Sequence, residues 1–222
     1  MRSPPAAALA AVLAVLAAPT AAVRAEIAVE CHCFKDRTWD PARPESADPY
    51  VLATTRSSLL SAAFGVGKGD VVRAVMGGTR PDDLWIAHWA GARAGRDPAA
   101  LLAARERLGS WRAALAGASG LGLVFEGALA RGAADGALSA IAIDDVLLGR
   151  LHANAEDVAL LRAARASSEE VVLAAVLAAR LRAPAMPLLA RVRSGSASWG
   201  STLHDVGLAP HDMDAVVRTL VR

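Results

Sequence analysis

The sequence predicts an all-α protein, built as two diverged tandem helical repeats that form a helical bundle or short array behind an irregular N-terminal Cys-containing segment. Helical spacing of apolar residues runs through most of the chain, beginning with Val51, Leu52, Leu59, Leu60 and Phe64 near one face. Alternation of aromatic and β-branched residues, the mark of strands, is nearly absent in a chain that is 54% hydrophobic but only 4% aromatic. The third observation is a faint duplication. Residues from about Ser58 to Leu115 recur from about Asp145 to Leu203: Leu60 falls on Leu147, Asp70-Val71 on Asp157-Val158, Asp82-Asp83 on Glu169-Glu170 and Arg93 on Arg180, each 87 positions apart. One inserted residue later, Ser110-Trp111 matches Ser198-Trp199. A period of this kind marks a unit whose apolar face is covered by its neighbour.

Residues 1–25 read as an export signal, with Arg2 at the positive start, an uninterrupted apolar run from Ala6 to Ala18, and Val23-Arg24-Ala25 at the cleavage site. The run is shorter than the roughly 20 residues a bilayer span needs. Glu30 directly before Cys31 disfavours a lipid anchor. The expected location is therefore periplasmic or secreted, with no stable membrane span after signal cleavage. Residues 26–49 hold both cysteines, Trp39 and three prolines (Pro41, Pro44 and Pro49), and should be irregular.

Helical repeat 1 covers residues 50–121. Its first helix runs from Tyr50 until Gly65 and Gly67 break it, and Asp70 to Met76 forms a short helix closed by Gly77-Gly78. Pro81, with Asp82 and Asp83 beside it near the positive end of the helix dipole, opens a helix to Gly95. Asp97-Pro98 caps and opens the next, and Ser110 caps a short helix carrying Trp111 and Leu115. Residues 122–143 are a Gly-rich connector, extended over Leu121 to Phe125 and weakly helical over Gly127 to Ala134. Helical repeat 2, residues 144–222, repeats the order: Asp144 to Leu151, Ala155 to Arg165, Ser168 to Arg182, Pro184 to Arg193, Ser198 to Val206, and a last helix from Pro210 to Val221.

Charge narrows the function. The chain has 24 basic and 22 acidic residues, and loss of Arg2 and Arg24 with the signal leaves the mature protein formally neutral. It has no electrostatic footprint for nucleic acid or an anionic membrane. Ser198-Trp199 through Gly207-Leu208 and the Pro210 helix resemble a helix-turn-helix, but an ordinary αα-hairpin has the same pattern, and export and neutrality argue against DNA. No nucleophile elbow, phosphate loop, His-Glu-x-x-His helix or catalytic carboxylate pair is present, which removes the positive case for an enzyme. Asp82-Asp83 and Asp144-Asp145 read as pairs near helix starts, and His152, His204 and His211 as surface or capping histidines.

Cys31-His32-Cys33 is the densest cluster of reactive side chains. In an exported protein two cysteines would pair, yet one intervening residue makes a small strained ring. Three readings stay open: a structural or idle pair; a thiolate site for Cu or Zn, completed by His32 or a distant residue such as His88; and a redox-active dithiol whose thiolate Lys35 or Arg37 stabilises. Haem attachment lacks its Cys-x-x-Cys-His spacing.

The duplication isolates a second set. Where repeat 1 reads Leu84-Trp85-Ile86-Ala87-His88-Trp89, repeat 2 reads Val171-Val172-Leu173-Ala174-Ala175-Val176. Trp85, His88 and Trp89 stand at helical spacings that make them an aromatic patch. Either these large side chains fill a wider gap in the core, or the patch receives the Cys segment or a ligand.

The run Cys31 to Arg37, with Ala47-Asp48-Pro49-Tyr50 and the Ala87-His88 region, resembles a group of uncharacterised exported bacterial α-helical proteins with an N-terminal Cys-His-Cys-Phe motif. The resemblance covers the first half better than the second, and it implies export but no activity. The expected function is a non-enzymatic binding or interaction module of the bacterial envelope, its partner a protein or a small ligand. The alternative is a thiol-dependent metal-binding or redox protein using Cys31 and Cys33.

Overall fold

A computed structural model describes Asp40 and residues 42–221. The export signal and Cys31-His32-Cys33 lie outside the described residues. Among the described residues there is no strand. A 3-10 turn over Pro44–Ala47 leads into twelve α-helices, six in each half: α1 (Asp48–Phe64), α2 (Lys68–Met76), α3 (Pro81–Ala94), α4 (Pro98–Leu108), α5 (Trp111–Ala114) and α6 (Leu123–Ala130), then α7 (Asp135–Gly149), α8 (Ala155–Ala163), α9 (Ser168–Leu181), α10 (Ala185–Arg193), α11 (Trp199–Asp205) and α12 (Met213–Leu220). None of the described helices is long and apolar enough to cross a membrane.

Helix starts keep the sequence offset. Asp48 and Asp135, Lys68 and Ala155, Pro81 and Ser168, and Pro98 and Ala185 each stand 87 apart, while Trp111 and Trp199 stand 88 apart. The backbone keeps it as well. The non-glycine residues with positive φ among the described residues are His152, Arg165 and Arg182, at 53°, 56° and 54°. Each lies 87 positions after a glycine in the same left-handed region: Gly65, Gly78 and Gly95. Side chains resist this conformation, so the matching turns take the same geometry even where the residue is not glycine.

The core is a crossed set of four helices. α1 packs on α9 and α3 on α7, with α1–α3 and α7–α9 completing the set, while α12 covers α1 and α6 covers α7. Ser110 and Ser198 accept hydrogen bonds from Ala113 N–H and Ser201 N–H to cap α5 and α11. The tryptophans that follow them, Trp111 and Trp199, are buried at 1% and 2% exposure. Trp111 Nε1 donates to Asp83 at 2.7 Å, and the Trp199 and Gly200 N–H groups donate to the Asp48 carboxylate at 3.2 and 2.8 Å. Each tryptophan helix is thereby tied to the start of a central one.

Several boundaries differ from expectation. α7 begins at Asp135 rather than Asp144, so residues 122–143 hold α6 and the first part of α7 instead of a loose connector. Gly136 lowers helix propensity there, but packing of α7 on α3 and ion pairs from Asp135 to Arg80 and Arg105 override it. Leu123–Phe125 is correspondingly helical rather than extended. Asp144 and Asp145 are the tenth and eleventh of the 15 residues of α7 and pair with Arg162 and Arg93, rather than standing at a helix start. The chain's last helix is split into a 3-10 turn over Pro210–Asp212 and α12.

The middle of α1, residues 53–61, is buried throughout and yet carries the polar run Thr54-Thr55-Arg56-Ser57-Ser58, every member at 6% exposure or less. Thr55 Oγ1 returns its proton to the Val51 carbonyl at 2.7 Å, and Ser61 Oγ to the Val66 carbonyl at 2.6 Å. Arg56 reaches further. Its guanidinium donates to Asp82 at 2.6 Å, to Glu169, and to Ser139 Oγ at 3.3 Å. Asp82 and Glu169 are the second residues of α3 and α9 and stand 87 apart, so one buried cation joins the N-terminal ends of two central helices to a third. Removing one partner of such a pair costs about 3–5 kcal/mol because the others are left uncompensated. Arg56→Met leaves carboxylates that are 34% and 24% exposed, so it is expected to lower unfolding free energy by less than that, about 1–3 kcal/mol, read from urea melts. Adding Asp82→Asn and Glu169→Gln should recover part of it.

Candidate functional site

Trp85, His88 and Trp89 leave α3 in different directions. Trp85 is 1% exposed and packs its edge against Phe64, with ring centroids 6.0 Å apart at 77°. Trp89 is 3% exposed and turns to the other side, against Phe125 at 4.5 Å. Its Nε1 donates to Asp145 Oδ2 at 2.9 Å, and the Arg93 guanidinium lies 5.1 Å from its ring centre while pairing with the same carboxylate. Both tryptophans are core. His88 is half-buried, stacks on Phe64 at 6.0 Å and 23°, and opens onto a cleft. Trp85 and His88 thus meet through Phe64, while Trp89 belongs to a separate contact.

The cleft has a volume of about 1180 Å³. Phe64 and Val66 at the end of α1, Val71 and Ala74 of α2, Leu84, His88 and Gly91 of α3, and Ala99 and Leu102 of α4 line it, with Asp70, Arg96, Asp97 and Arg150 among its polar residues. Gly91 is required by close approach: a Cβ there would come within 2.7 Å of the Arg96 carbonyl oxygen and 3.2 Å of Pro98 Cγ. With hydrogen in that place, the α3–α4 loop lies directly on α3 and forms one wall.

The second half explains why the first is open. α8 packs against α10, whereas the cleft lies between α2 and α4. Asp157 of α8 accepts a hydrogen bond from Ala185 N–H at the start of α10, at 3.2 Å. Residues 87 positions earlier cannot make that bond, because Asp70 faces Pro98, which has no N–H. Asp70 instead pairs with Arg73 on the surface. Leu161, fully buried, and Met186, packed on the core, stand where the first half has Ala74 and Ala99. Ala175 replaces His88. Three smaller or donor-less residues therefore leave the first half open where the second is filled.

α2 is lightly held. Of its residues only Val71 is buried, and Met76 is 69% exposed. Gly65 and Gly67 precede it and Gly77 and Gly78 follow it, whereas α8 has side chains at all four of the matching positions. Lys68 at its start pairs with Asp214 of α12 at 3.6 Å, and burial pulls the Lys68 ammonium below its ordinary pKa against the opposing pull of that carboxylate.

Electrostatics at the cleft centre on His88. Burial pushes its pKa below the usual 6.5, and the Asp97 carboxylate only partly restores it. The imidazole is neutral at pH 7 and offers one donor and one acceptor. Asp97 itself caps α4, accepting from Ala99 and Ala100 N–H at 3.3 and 3.1 Å, and Arg96 donates to the Ala114 carbonyl at 3.1 Å. Among the described residues no group of three or more His, Cys, Asp or Glu side chains is placed to hold a metal ion. Of the residues singled out for metal, His88 lies in the cleft and Cys31, His32 and Cys33 lie outside the described residues. His152, His204 and His211 are exposed.

Sequence reasoning missed Arg56 and the cleft. Both had a signal: an arginine inside Leu52-Ala53-Thr54-Thr55-Arg56-Ser57-Ser58-Leu59, and the small residues Ala74 and Ala99 opposite Leu161 and Met186. Comparison with protein-family models, curated proteins and solved structures gave no match.

Because the folded chain resists protonation at His88, the unfolded chain takes up a proton first as pH falls below 6.5. Stability should therefore decline with pH through that window and level off below the folded midpoint, a component absent from His88→Gln. Proton NMR should place the His88 titration below 6.5. Asp97→Asn, which keeps the cap, should move it lower still.

Proposed function

We propose that this is a non-enzymatic small-molecule binding protein of the bacterial envelope, periplasmic or secreted, and that the cleft over His88 is its binding site. The observation that carries the reading is the contrast between the halves: a cleft lies between α2 and α4, while α8 and α10 pack together over the matching ground. Ligand sites are typically concave, mainly apolar clefts with a few polar groups, and this cleft has that form. Its volume suits a drug-sized ligand or larger. We take the halves to be diverged copies, one of which keeps the closed packing. On this reading α2 is the movable wall, with glycines at both ends to absorb the motion.

The export signal supports the location. The thiol reading, in which Cys31 and Cys33 hold Cu or Zn or form a reducible bridge, rests on residues outside those described. Intact-mass measurement on protein purified from the periplasm would reveal bound metal or a reducible bridge and favour it.

Grafting the second-half residues tests the cleft. Ala74→Leu with Ala99→Met should weaken binding of the uncharged dye Nile red by about tenfold or more, with thermal stability unchanged or raised. Ala103→Leu, on the exposed side of α4, should leave binding intact. Equal dye binding by the grafted and native proteins would remove the cleft as the site.

A further inference from the structure

Resting on that reading, we infer that the cleft takes an uncharged, mainly apolar molecule whose single hydrogen-bonding group, a hydroxyl, carbonyl or amide, meets the His88 imidazole. The walls define the body. Phe64, Val71, Leu84 and Leu102 present carbon surface, and the Phe64 ring already carries the stacked imidazole on one of its sides. Burying apolar ligand surface against them supplies the main driving force.

The absence of charge is argued from what each ionic group at the cleft already does. Asp70 pairs with Arg73, Asp97 caps the first turn of α4, and Arg96 is bonded to the Ala114 carbonyl. Arg150 stands exposed at the margin. The lining sets two carboxylates, Asp70 and Asp97, against two guanidiniums, Arg96 and Arg150, so it favours neither sign of charge in an ionised head that gives up its water beside His88, whereas a neutral polar group loses little if it is hydrogen-bonded. A neutral imidazole can donate or accept, so it suits a hydroxyl, carbonyl or amide equally.

The experiment uses the full chain and three competitors with the same ten-carbon body. Decan-1-ol, decanoate and decylammonium displace Nile red at pH 8, where both ions are charged. Decan-1-ol is expected to displace the dye at concentrations about tenfold below either ion. His88→Leu should weaken decan-1-ol by about tenfold, and His88→Gln, which keeps a donor and an acceptor, should recover most of that loss. A preference for decanoate that Arg150→Gln abolishes would overturn the uncharged class in favour of an anionic amphiphile, as a preference for decylammonium would in favour of a cationic one. An unchanged decan-1-ol affinity in His88→Leu would overturn the role of the imidazole. These failures are separable from failure of the site itself, which is read from the grafted Ala74→Leu, Ala99→Met protein binding dye as the native does.

Discussion

The arrangement of the central helices depends on a single buried cation. Arg56 projects from the middle of α1, where residues 53–61 are all buried, and is met by carboxylates from the first turns of α3 and α9. Helix N-termini carry partial positive charge, so bringing two of them to one guanidinium would be unfavourable without Asp82 and Glu169 between. The acidic residues serve both needs, complementing each dipole and neutralising the arginine. An apolar α1 would satisfy burial equally well but would leave its rotation and height against two neighbours poorly specified. The pair of directed bonds fixes both. α3 carries His88, and α1 carries Phe64 beneath it, so the floor of the cleft inherits its position from this contact.

On that shared frame the halves take opposite decisions. In the second, Asp157 caps α10, Leu161 and Met186 fill the space below, and α8 is docked. In the first, a proline without a donor, two alanines and flanking glycines leave α2 attached chiefly through Val71 and Lys68. Pro98, the two alanines, Gly65 and Gly67 all line the same cleft. Unrelated losses would be expected to scatter over the surface. Their grouping near one imidazole is what supports the proposed site.

Helix existence was legible because periodicity, Pro at first turns, and Ser or Asp caps act locally; Asp97-Pro98 and Ser110 are where the sequence placed them. The start of α7 was not, because Gly136 and the neighbouring small residues argue for a loop, and only contact with α3 reverses that. The 87-residue offset, applied to Asp48, points to Asp135. The sequence match, traced only from Ser58, stopped short of it. For the site, large residues drew attention and small ones did not. Trp85 and Trp89 stand out in a sequence but are absorbed by Phe64, Phe125 and Asp145, whereas Ala74 and Ala99 matter through volume they do not occupy, which no local pattern records.

The two features that the sequence singled out also attach to opposite ends of one helix. The 3-10 turn at Pro44–Ala47 packs on α11 beside the start of α1, while Phe64, the stacking partner of His88, is its last residue. Seventeen residues of helix separate those ends by about 25 Å. A site joining Cys31 and Cys33 to His88 would require the N-terminal segment to return along the length of α1. The cleft requires nothing of the kind, since α1 to α4 and Arg150 supply its lining. The proposed ligand binding at the cleft therefore does not depend on the proposed metal chemistry at the cysteines, and each can be tested without the other.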